Sequence, residues 1–277
     1  MTVVELLAVA AGRLTATEGL PDPGREARFL LARALQESEA WLLAHPEAAM
    51  AEADVSRFLG WVSRRAAGEP AHLIVGTCPF WGREFAVAPG VLIPRPESEL
   101  IVETALGLPL PRSPRVIDIG TGSGCLAITL ALELAGVRVL ATDLSLVALA
   151  TARRNARRLG AQVALACGDL AAHLRGHFEL VVANLPYLPT VDLATLPRDV
   201  RDFEPALALD GGTDGTQAVS GLLSGLPSLL VPGGWAVLEL GIGQADQLGR
   251  AADGLGLEEV SRVRDAIGVD RVLVVRA

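Results

Sequence analysis

The sequence predicts an α/β fold in which a mostly parallel sheet carries helices on both faces, preceded by a small all-α domain. Two observations predict this fold. After residue 115, short apolar runs typical of strands alternate with longer segments of helical periodicity, and repeated strand–helix units form parallel sheets. Residues 1–70, in contrast, show apolar residues at helical spacing and no strand-like alternation.

The chain divides into three predicted parts. Residues 1–70 are expected to form a bundle of about four helices. Residues 71–94 contain the strand-like runs HLIVGT and REFAV on either side of a CPFWG segment, which predicts a β-hairpin linker. Residues 95–277 contain all the strand–helix units and are expected to form the α/β domain.

The elements of the α/β domain follow in order along the chain. A helix is expected from about residue 94 to 106, with acidic residues in its first turn. The predicted strands are residues 115–120, 137–143, 162–169, 178–184, 234–240, 258–264 and 270–276. The other helices are expected at about residues 123–135, 145–159, 214–230 and 243–255. The expected sheet therefore has seven strands and closes with a C-terminal antiparallel hairpin.

Composition excludes several classes of protein. No apolar run reaches the roughly 18 uncharged residues that cross a membrane, and the N-terminus lacks the basic region of a signal peptide. We therefore expect a cytoplasmic protein without membrane contact. The three cysteines have neither disulfide nor zinc-ligand spacing, so no metal is expected. The formal net charge is -8 with no lysine, which argues against direct binding of nucleic acid.

A glycine-rich motif follows the first strand of the predicted sheet. It comprises Asp118, Gly120, Thr121, Gly122, Ser123 and Gly124. Glycines let the backbone turn sharply and approach a ligand closely, and the next helix offers free N–H groups. Two nucleoside cofactors fit the motif. Gly122 to Ala127 satisfies the dinucleotide fingerprint G-x-G-x-x-A, whereas an S-adenosylmethionine site needs an acid before the glycines, where Asp118 would meet the α-ammonium group.

Two further acids end neighbouring strands at the same edge of the sheet. Asp143 lies where a carboxylate accepts hydrogen bonds from both ribose hydroxyls. Asp169 follows the third strand, where such folds contact the adenine amino group. Leu144 and Leu170, directly after these acids, complete the predicted cofactor site. A ribose is common to NAD and S-adenosylmethionine, so these positions indicate a nucleoside cofactor without choosing between the two.

Asn184-Leu185-Pro186-Tyr187, after the fourth strand, is the motif that favours methyl transfer. An amino nitrogen on an sp2 carbon is a poor nucleophile, because its lone pair is delocalised. Two acceptors, the side-chain oxygen of Asn184 and the carbonyl oxygen of Leu185, can hold such an NH2 group with its lone pair out of plane. Pro186 stiffens the loop, and Tyr187 can stack on a planar acceptor. Asn184 is also predicted to be a cofactor-binding residue.

These motifs resemble those of the release factor glutamine methyltransferase family. The segments that carry the resemblance are DIGTGSG (118–124), NLPY (184–187), residues 79–100, 201–215 and 230–244, and the closing DRVLVVR. The resemblance implies a class I methyltransferase fold, S-adenosylmethionine as cofactor, and class I peptide chain release factors as protein partners. It also implies that Asn184 to Tyr187 grip a glutamine side chain in a Gly-Gly-Gln segment. Because every predicted cofactor residue lies after residue 115, we expect the helical domain to recognise the release factor.

The sequence departs from the family pattern at two positions. The family usually has proline where Leu185 stands, and Asn-Leu-Pro-Tyr is common among rRNA adenine dimethyltransferases, whose acceptor is also an amino group on an sp2 carbon. Leu170 stands where the family often has an aromatic residue against adenine. An rRNA adenine methyltransferase and a non-catalytic binder of NAD or S-adenosylmethionine are therefore alternatives. The acidic charge and the match at 79–100 favour the release factor enzyme.

Overall fold

The first part of the chain forms helices whose N-termini are capped by side chains. The structure, a computed structural model, describes residues 1–17, 19–170, 174 and 176–277. Thr2 and Glu5 form a capping box at the first helix, and Asp22 and Ser38 cap the next two. These side chains satisfy N–H groups that a helix leaves unpaired at its start. The helices are α1 (Val3–Leu14), α2 (Pro23–Leu35), α3 (Glu39–Ala44), α4 (Glu52–Ala66) and α5 (Ala71–Val75).

These helices form a compact unit of residues 1–77 together with a distant segment, residues 195–203. Its core includes Leu6, Leu30 and Phe58, each fully buried. The distant segment contributes α9 (Arg198–Phe203). Arg65, 4% exposed, donates to Glu26 at 2.5 Å and to Asp199 at 3.3 Å, so it ties α4 to both α2 and α9. The sequence did not predict that residues 195–203 belong to this unit.

The predicted linker at 71–94 differs from the observed chain. Its first residues, expected as a strand, form α5, with Pro70 as the N-cap and Gly76, which has a φ of 83°, as the C-cap. A short apolar run has the same pattern in a buried helix and in a buried strand. The hairpin itself is present as β1 (Thr77–Phe80) and β2 (Arg83–Ala86). The boundary between the two compact units therefore falls at residues 77 and 78, inside the predicted linker.

The second unit, residues 78–194 and 204–277, is built on the predicted mixed sheet. Among the described residues, its strands run in the order β5-β4-β3-β6-β7-β9-β8. They are β3 (Arg115–Ile119), β4 (Arg138–Asp143), β5 (Val163–Cys167), β6 (Phe178–Ala183), β7 (Leu230–Glu239), β8 (Glu258–Arg264) and β9 (Asp270–Arg276). The pairs from β5 to β7 are parallel, whereas β9 is antiparallel to β7 and β8. The predicted strand set and the closing hairpin are thus confirmed.

Helices cover both faces of this sheet, as the strand–helix alternation predicts. They are α6 (Glu99–Gly107), α7 (Cys125–Glu133), α8 (Leu146–Leu159), α10 (Gln217–Leu229) and α11 (Ala245–Gly254). One apolar cluster joins alternate strand residues such as Ile117 and Val181 to α10 and α11. The other joins Val116 and Val182 to α6 and α7, and includes Phe80 and Phe85 of the hairpin. The hairpin is therefore part of the core of the second unit.

The strand order places four loops at one edge of the sheet. The parallel strands β5, β4, β3 and β6 are neighbours, so their carboxyl ends lie side by side. The loops that follow them carry the predicted binding motifs, and such an edge is where ligands bind in open α/β sheets. Among the described residues, no helix is both long and apolar enough to cross a membrane.

A buried asparagine joins three of these segments. Asn155 of α8 is fully buried; its Oδ1 accepts from the Ala86 N–H at 2.8 Å, and its Nδ2 donates to the carbonyls of Ala86 at 2.9 Å and Ser123 at 2.8 Å. All polar atoms of this side chain therefore bind backbone. The hairpin and the glycine-rich loop are tied together through α8.

We expect Asn155→Ala to lower the free energy of unfolding by about 3 kcal/mol, because three buried backbone groups lose their partner. Urea denaturation followed by circular dichroism measures this. Arg153→Ala, at an exposed position of the same helix, is the matched control and should change stability by less than about 0.5 kcal/mol. Equal stability of the two variants would show that the Asn155 hydrogen bonds carry no net energy.

Candidate active site

A cavity of about 360 Å³ lies at the edge of the sheet where the strands β3 to β6 end. Its lining brings together the two predicted motifs, from the glycine-rich loop and from the segment after β6. The predicted site residues that line it are Gly120, Thr121, Gly122, Ser123, Asp143, Leu144, Asp169, Leu170, Asn184, Leu185 and Pro186. Three others, Asp118, Gly124 and Tyr187, are not part of the lining.

The glycine-rich loop is held by the end of β4. The N–H groups of Gly120 and Thr121 both donate to the carbonyl of Thr142 at 2.9 Å, and the Gly122 N–H donates to Asp143 Oδ2 at 2.8 Å. Gly120 has a φ of 76°, and a Cβ there would lie 2.9 Å from Leu185 Cδ2. Glycine is therefore required at this position both for backbone conformation and for space.

Asp118 lies beneath the glycine-rich loop. Its side chain is fully buried, and its Oδ2 accepts from Thr121 Oγ1 at 2.6 Å and from the Ala127 N–H at 3.2 Å. Burial raises its pKa to about 7, with the charge of Asp143 adding to the effect and the two hydrogen bonds opposing it. The carboxylate thus joins the loop to α7, and its predicted contact with the α-ammonium group of the cofactor stays a prediction.

Gly124 also lies outside the cavity lining, and packing is the reason for glycine there. It begins α7 with a φ of 84°. A Cβ at this position would lie 2.8 Å from Ile128 Cδ1 and 3.0 Å from Ala152 Cβ. Gly124 therefore allows α7 and α8 to approach each other at the base of the loop, and the expected contact with a cofactor is not seen in the lining.

The acids after β4 and β5 both reach the cavity. Asp143 accepts from two backbone N–H groups, that of Gly122 on Oδ2 and that of Ser145 on Oδ1, each at 2.8 Å. These bonds fix the carboxylate while each oxygen retains a second acceptor site. Asp169 and Leu170 line the cavity next to it, and Leu170 has a φ of 43°.

Asn184 and Leu185 supply two oxygens without hydrogen-bond donors. Asn184 Nδ2 donates to Ser98 Oγ at 2.8 Å, and neither its Oδ1 nor the Leu185 carbonyl accepts a hydrogen bond from the described residues. The Leu185 side chain is 4% exposed and packs in the apolar core. Its contribution to the cavity wall is therefore mainly backbone. The arrangement provides two neighbouring acceptors of the kind that an NH2 group requires.

Tyr187 is held by hydrogen bonds at the end of β7, and its predicted stacking on the acceptor stays a prediction. Its hydroxyl hydrogen-bonds to the buried carboxylate of Glu239, and burial, followed by that negative charge, raises its pKa to about 12. Its backbone carbonyl accepts from Gln244 Nε2 at 2.9 Å. Tyr187 therefore anchors the loop after β6 to the end of β7, and the ring does not line the cavity.

A second glycine-rich segment, residues 209–215, supports the loop after β6. Leu188 N–H donates to the Leu209 carbonyl at 3.0 Å, and Gly211 N–H donates to the Leu188 carbonyl at 2.8 Å. A Cβ at Gly211 would lie 2.7 Å from the Pro186 carbonyl oxygen. The match of residues 201–215 to the family pattern therefore has a structural reason, because this segment holds the Asn-Leu-Pro-Tyr loop in place.

Sequence reasoning missed two walls of the cavity. One is formed by Gly90, Val91, Leu92, Pro94, Arg95 and Ser98, and the other by Pro205, Leu207, Ala208 and Asp210. Arg95 forms an ion pair with Glu204 at 2.6 Å, which connects the two walls. From the sequence, Arg95 between two prolines is either a structural residue or a contact to the linker and the rim of the active site. Both walls lie in segments that match the family pattern, 79–100 and 201–215, but their other residues had no assigned role.

Two solved structures share the fold of the second unit. The ribosomal protein L11 methylase from Lactobacillus delbrueckii subsp. bulgaricus has a TM-score of 0.52, with 22% sequence identity, 72% of this chain and 88% of that chain covered. A methyltransferase from Pyrococcus furiosus has a TM-score of 0.55, with 19% identity, 80% of this chain and 96% of that chain covered. The sheet order and these likenesses define a class I methyltransferase fold, as predicted.

Comparison with related sequences identifies the family within this class. The PrmC N-terminal domain model matches residues 5–76, and the Methyltransferase small domain model matches residues 97–196. Release factor glutamine methyltransferases of Moorella thermoacetica and Geobacter sulfurreducens are 44% and 40% identical to this chain, covering 98% and 93% of it and 97% and 91% of their own length. The chain belongs to the release factor glutamine methyltransferase family, which confirms the resemblance found in the sequence.

Proposed function

We propose that this enzyme transfers a methyl group from S-adenosylmethionine to the side-chain amide nitrogen of the glutamine in the Gly-Gly-Gln segment of class I peptide chain release factors. The observation that carries the proposal is a pair of oxygens, Asn184 Oδ1 and the Leu185 carbonyl, which accept no hydrogen bond from the described residues and lie beside the glycine-rich loop in one cavity. Names of the relatives support the release factor as substrate. The reaction belongs to translation termination, and hence to the cytoplasm.

The residues around the cavity fit S-adenosylmethionine. The backbone at Gly120 and Gly122 leaves room for close approach, and Asp143 and Asp169 are acceptors for ribose hydroxyls and an adenine amino group. Beneath the loop, the fully buried Asp118 has an Oδ1 without a hydrogen-bond partner among the described residues, and this oxygen is the acceptor proposed for the α-ammonium group of the cofactor. When bound, the cofactor supplies an electrophilic methyl group on a sulfonium and leaves as S-adenosylhomocysteine.

The acceptor side of the reaction needs positioning more than acid–base catalysis. A glutamine NH2 group has two hydrogens, and Asn184 Oδ1 and the Leu185 carbonyl can accept one each. Holding both hydrogens fixes the plane of the NH2 group and concentrates electron density on nitrogen, as a preorganised pair of dipoles does in other enzymes. The N–C bond forms as the C–S bond of the sulfonium breaks, and the nitrogen then loses one of its two protons to water. Leucine at position 185 retains the required carbonyl, so its difference from the usual proline is compatible with the activity.

The helical unit is proposed to recognise the protein partner. The predicted cofactor and acceptor residues lie in the second unit, which leaves residues 1–77 and 195–203 available for binding the release factor. The acidic chain favours a protein over an rRNA as the direct substrate. An rRNA adenine amino group would fit the same two acceptors and is the alternative substrate, whereas the third alternative is a chain that binds a nucleoside cofactor without catalysis.

A labelling experiment distinguishes these functions. Purified protein is given S-adenosylmethionine with a labelled methyl group, together with an intact class I release factor or with rRNA. We expect label on the release factor only, at its Gly-Gly-Gln glutamine, located by peptide mass spectrometry. A release factor with that glutamine changed to alanine is the control and should remain unlabelled. Label on rRNA would favour the adenine methyltransferase, and no label on either would favour a non-catalytic binder.

Cofactor identity is tested separately by calorimetry. We expect S-adenosylmethionine to bind and NAD not to bind. Asp143→Ala should weaken the binding of S-adenosylmethionine by roughly 1.5–3 kcal/mol, because charge-assisted hydrogen bonds to the ribose are lost. Since Asp143 also accepts from the Gly122 and Ser145 N–H groups, the melting temperature of the variant is measured alongside. NAD binding in place of S-adenosylmethionine would refute the assignment, as would unchanged affinity in a folded Asp143→Ala variant.

Asn184→Ala tests the acceptor site. Turnover should fall by roughly two to three orders of magnitude, the usual cost of removing one preorganised contact to the reacting group. Cofactor affinity should remain close to that of the wild type. Single-turnover methylation of a release factor measures the rate, with melting temperature as the folding control.

Leu185→Pro is the matched comparison in the same loop. It keeps the backbone carbonyl, and the Leu185 N–H that it removes donates no hydrogen bond to the described residues. Its effect on turnover should be far smaller, although lost core packing lowers its stability. A folded Asn184→Ala variant with wild-type turnover would remove this loop from the mechanism.

A further inference from the structure

Asn184 is connected to two buried residues that the sequence motifs did not include. Its Nδ2 donates to Ser98 Oγ at 2.8 Å, and Ser98 Oγ donates to Glu239 Oε2 at 2.5 Å. Ser98 and Glu239 are each 2% exposed. Ser98 lies in the 3-10 helix Pro96–Ser98, and Glu239 is the last residue of β7. Residues separated by 86 and 141 positions in sequence thus form one chain of hydrogen bonds.

The direction of these hydrogen bonds follows from counting hydrogens. A serine hydroxyl has one hydrogen to donate, and an ionised carboxylate can only accept. When Glu239 is ionised, it takes the hydrogen of Ser98, and the Ser98 oxygen must then accept from Asn184. Only the NH2 end of the Asn184 amide can donate, so this end faces Ser98. The opposite end of the same planar group, Oδ1, is left for a ligand.

Orientation of this amide decides whether an amino group can bind. With Oδ1 toward the ligand, Asn184 accepts a hydrogen bond from a glutamine NH2 group. With the amide reversed, two NH2 groups would face each other, and neither could accept. We propose that Ser98 and Glu239 are positioning residues, which hold the amide of Asn184 with its oxygen toward the methyl-accepting nitrogen. This inference rests on the acceptor role given to Asn184 in the proposed function.

The surroundings of Glu239 suit a carboxylate that binds hydroxyl groups. Tyr187 hydrogen-bonds to it in addition to Ser98, and the charged groups that act on it are Glu97 and Arg271. Burial, with a smaller contribution from the charge of Glu97, raises the pKa of Glu239 to about 7 against the opposing effects of the hydrogen bonds and of Arg271. Below that pH the protonated carboxyl can donate to Ser98, which frees the Ser98 hydrogen for Asn184 Oδ1 and allows the amide to reverse.

A double-mutant cycle tests whether Ser98 acts through Asn184. Single-turnover methylation of an intact release factor is measured at saturating S-adenosylmethionine for Ser98→Ala, Asn184→Ala and the double variant. We expect Ser98→Ala alone to slow methylation by roughly tenfold to a hundredfold, the range for a misplaced contact. In the Asn184→Ala background the same change should cost less than about twofold, since contacts in one network are not additive.

Three further variants separate positioning from loss of structure. Ser98→Thr retains a hydroxyl and should restore most of the rate. The side chain of Glu239→Gln can donate as well as accept, so it no longer fixes the direction of the hydrogen bonds. It should therefore slow methylation only when Asn184 is present. This variant replaces Ser98→Ala in the double-mutant cycle if Ser98→Ala is poorly folded. Ser224→Ala, an exposed serine on α10, should leave the rate unchanged. Melting temperature and S-adenosylmethionine affinity are measured for each variant.

The pH profile gives a second readout. Lowering the pH from 8 to 6 should slow methylation by the wild-type enzyme at saturating cofactor, because protonated Glu239 no longer fixes the direction of the hydrogen bonds. Ser98→Ala should be less sensitive to this change. The positioning role alone would be overturned if Ser98→Ala slowed methylation equally in the wild-type and Asn184→Ala backgrounds. It would also be overturned if Ser98→Ala lost as much rate between pH 8 and pH 6 as the wild type. Full activity of Asn184→Ala would overturn the acceptor site as well, so the two failures are distinguishable.

Discussion

The parallel pairing of β3 with β6 is the constraint on which the cavity depends. Ile119 lies opposite Ala183 in this pair, so the two strands end side by side. The loop after β3 turns at Gly120, and the loop after β6 begins at Asn184, with a side chain of the second loop packed against the backbone of the first. The segment that fits a cofactor is therefore in contact with the segment that fits an acceptor. A group transfer needs donor and acceptor in close approach, and the strand order provides this before any side chain contributes.

Buried polar side chains then fix the loops that meet at this edge. Loops at the end of a sheet have few apolar contacts of their own and are usually the mobile part of a fold. Here Asn155, Asp118 and Glu239 each bond to groups in other segments from positions that water does not reach. A buried polar group is costly unless its partners are in place, so each such group favours one arrangement of the segments it joins. The same property makes them sensitive positions, because the partners left behind cannot bind solvent instead.

The fold was largely predictable because its signals are local. Strands of a parallel sheet that is covered on both faces read as continuous apolar runs, and glycine and acidic residues mark where they end. The exception is α5, where five residues are too few for periodicity to distinguish helix from strand. In the site, spacing located the loops but did not give the direction of each side chain. Asp118 is buried beneath its loop and neither Gly124 nor Tyr187 lines the cavity, so the contacts expected of these three residues stay predictions. Ser98 and Glu239 had no local signal, since only the assembled sheet brings them together.

The segment 195–203 gives the chain an unusual connectivity. The polypeptide leaves the helical unit after residue 77, builds half of the catalytic sheet, returns to the helical unit for nine residues, and leaves again. Arg65 therefore has one of its partners, Asp199, encoded far downstream. The helical unit is not a cassette that recombination could exchange at a single crossover point. A chimaera that replaced only the first 77 residues would place a foreign bundle against a native α9, so an exchange of the helical unit has to include residues 195–203 as well.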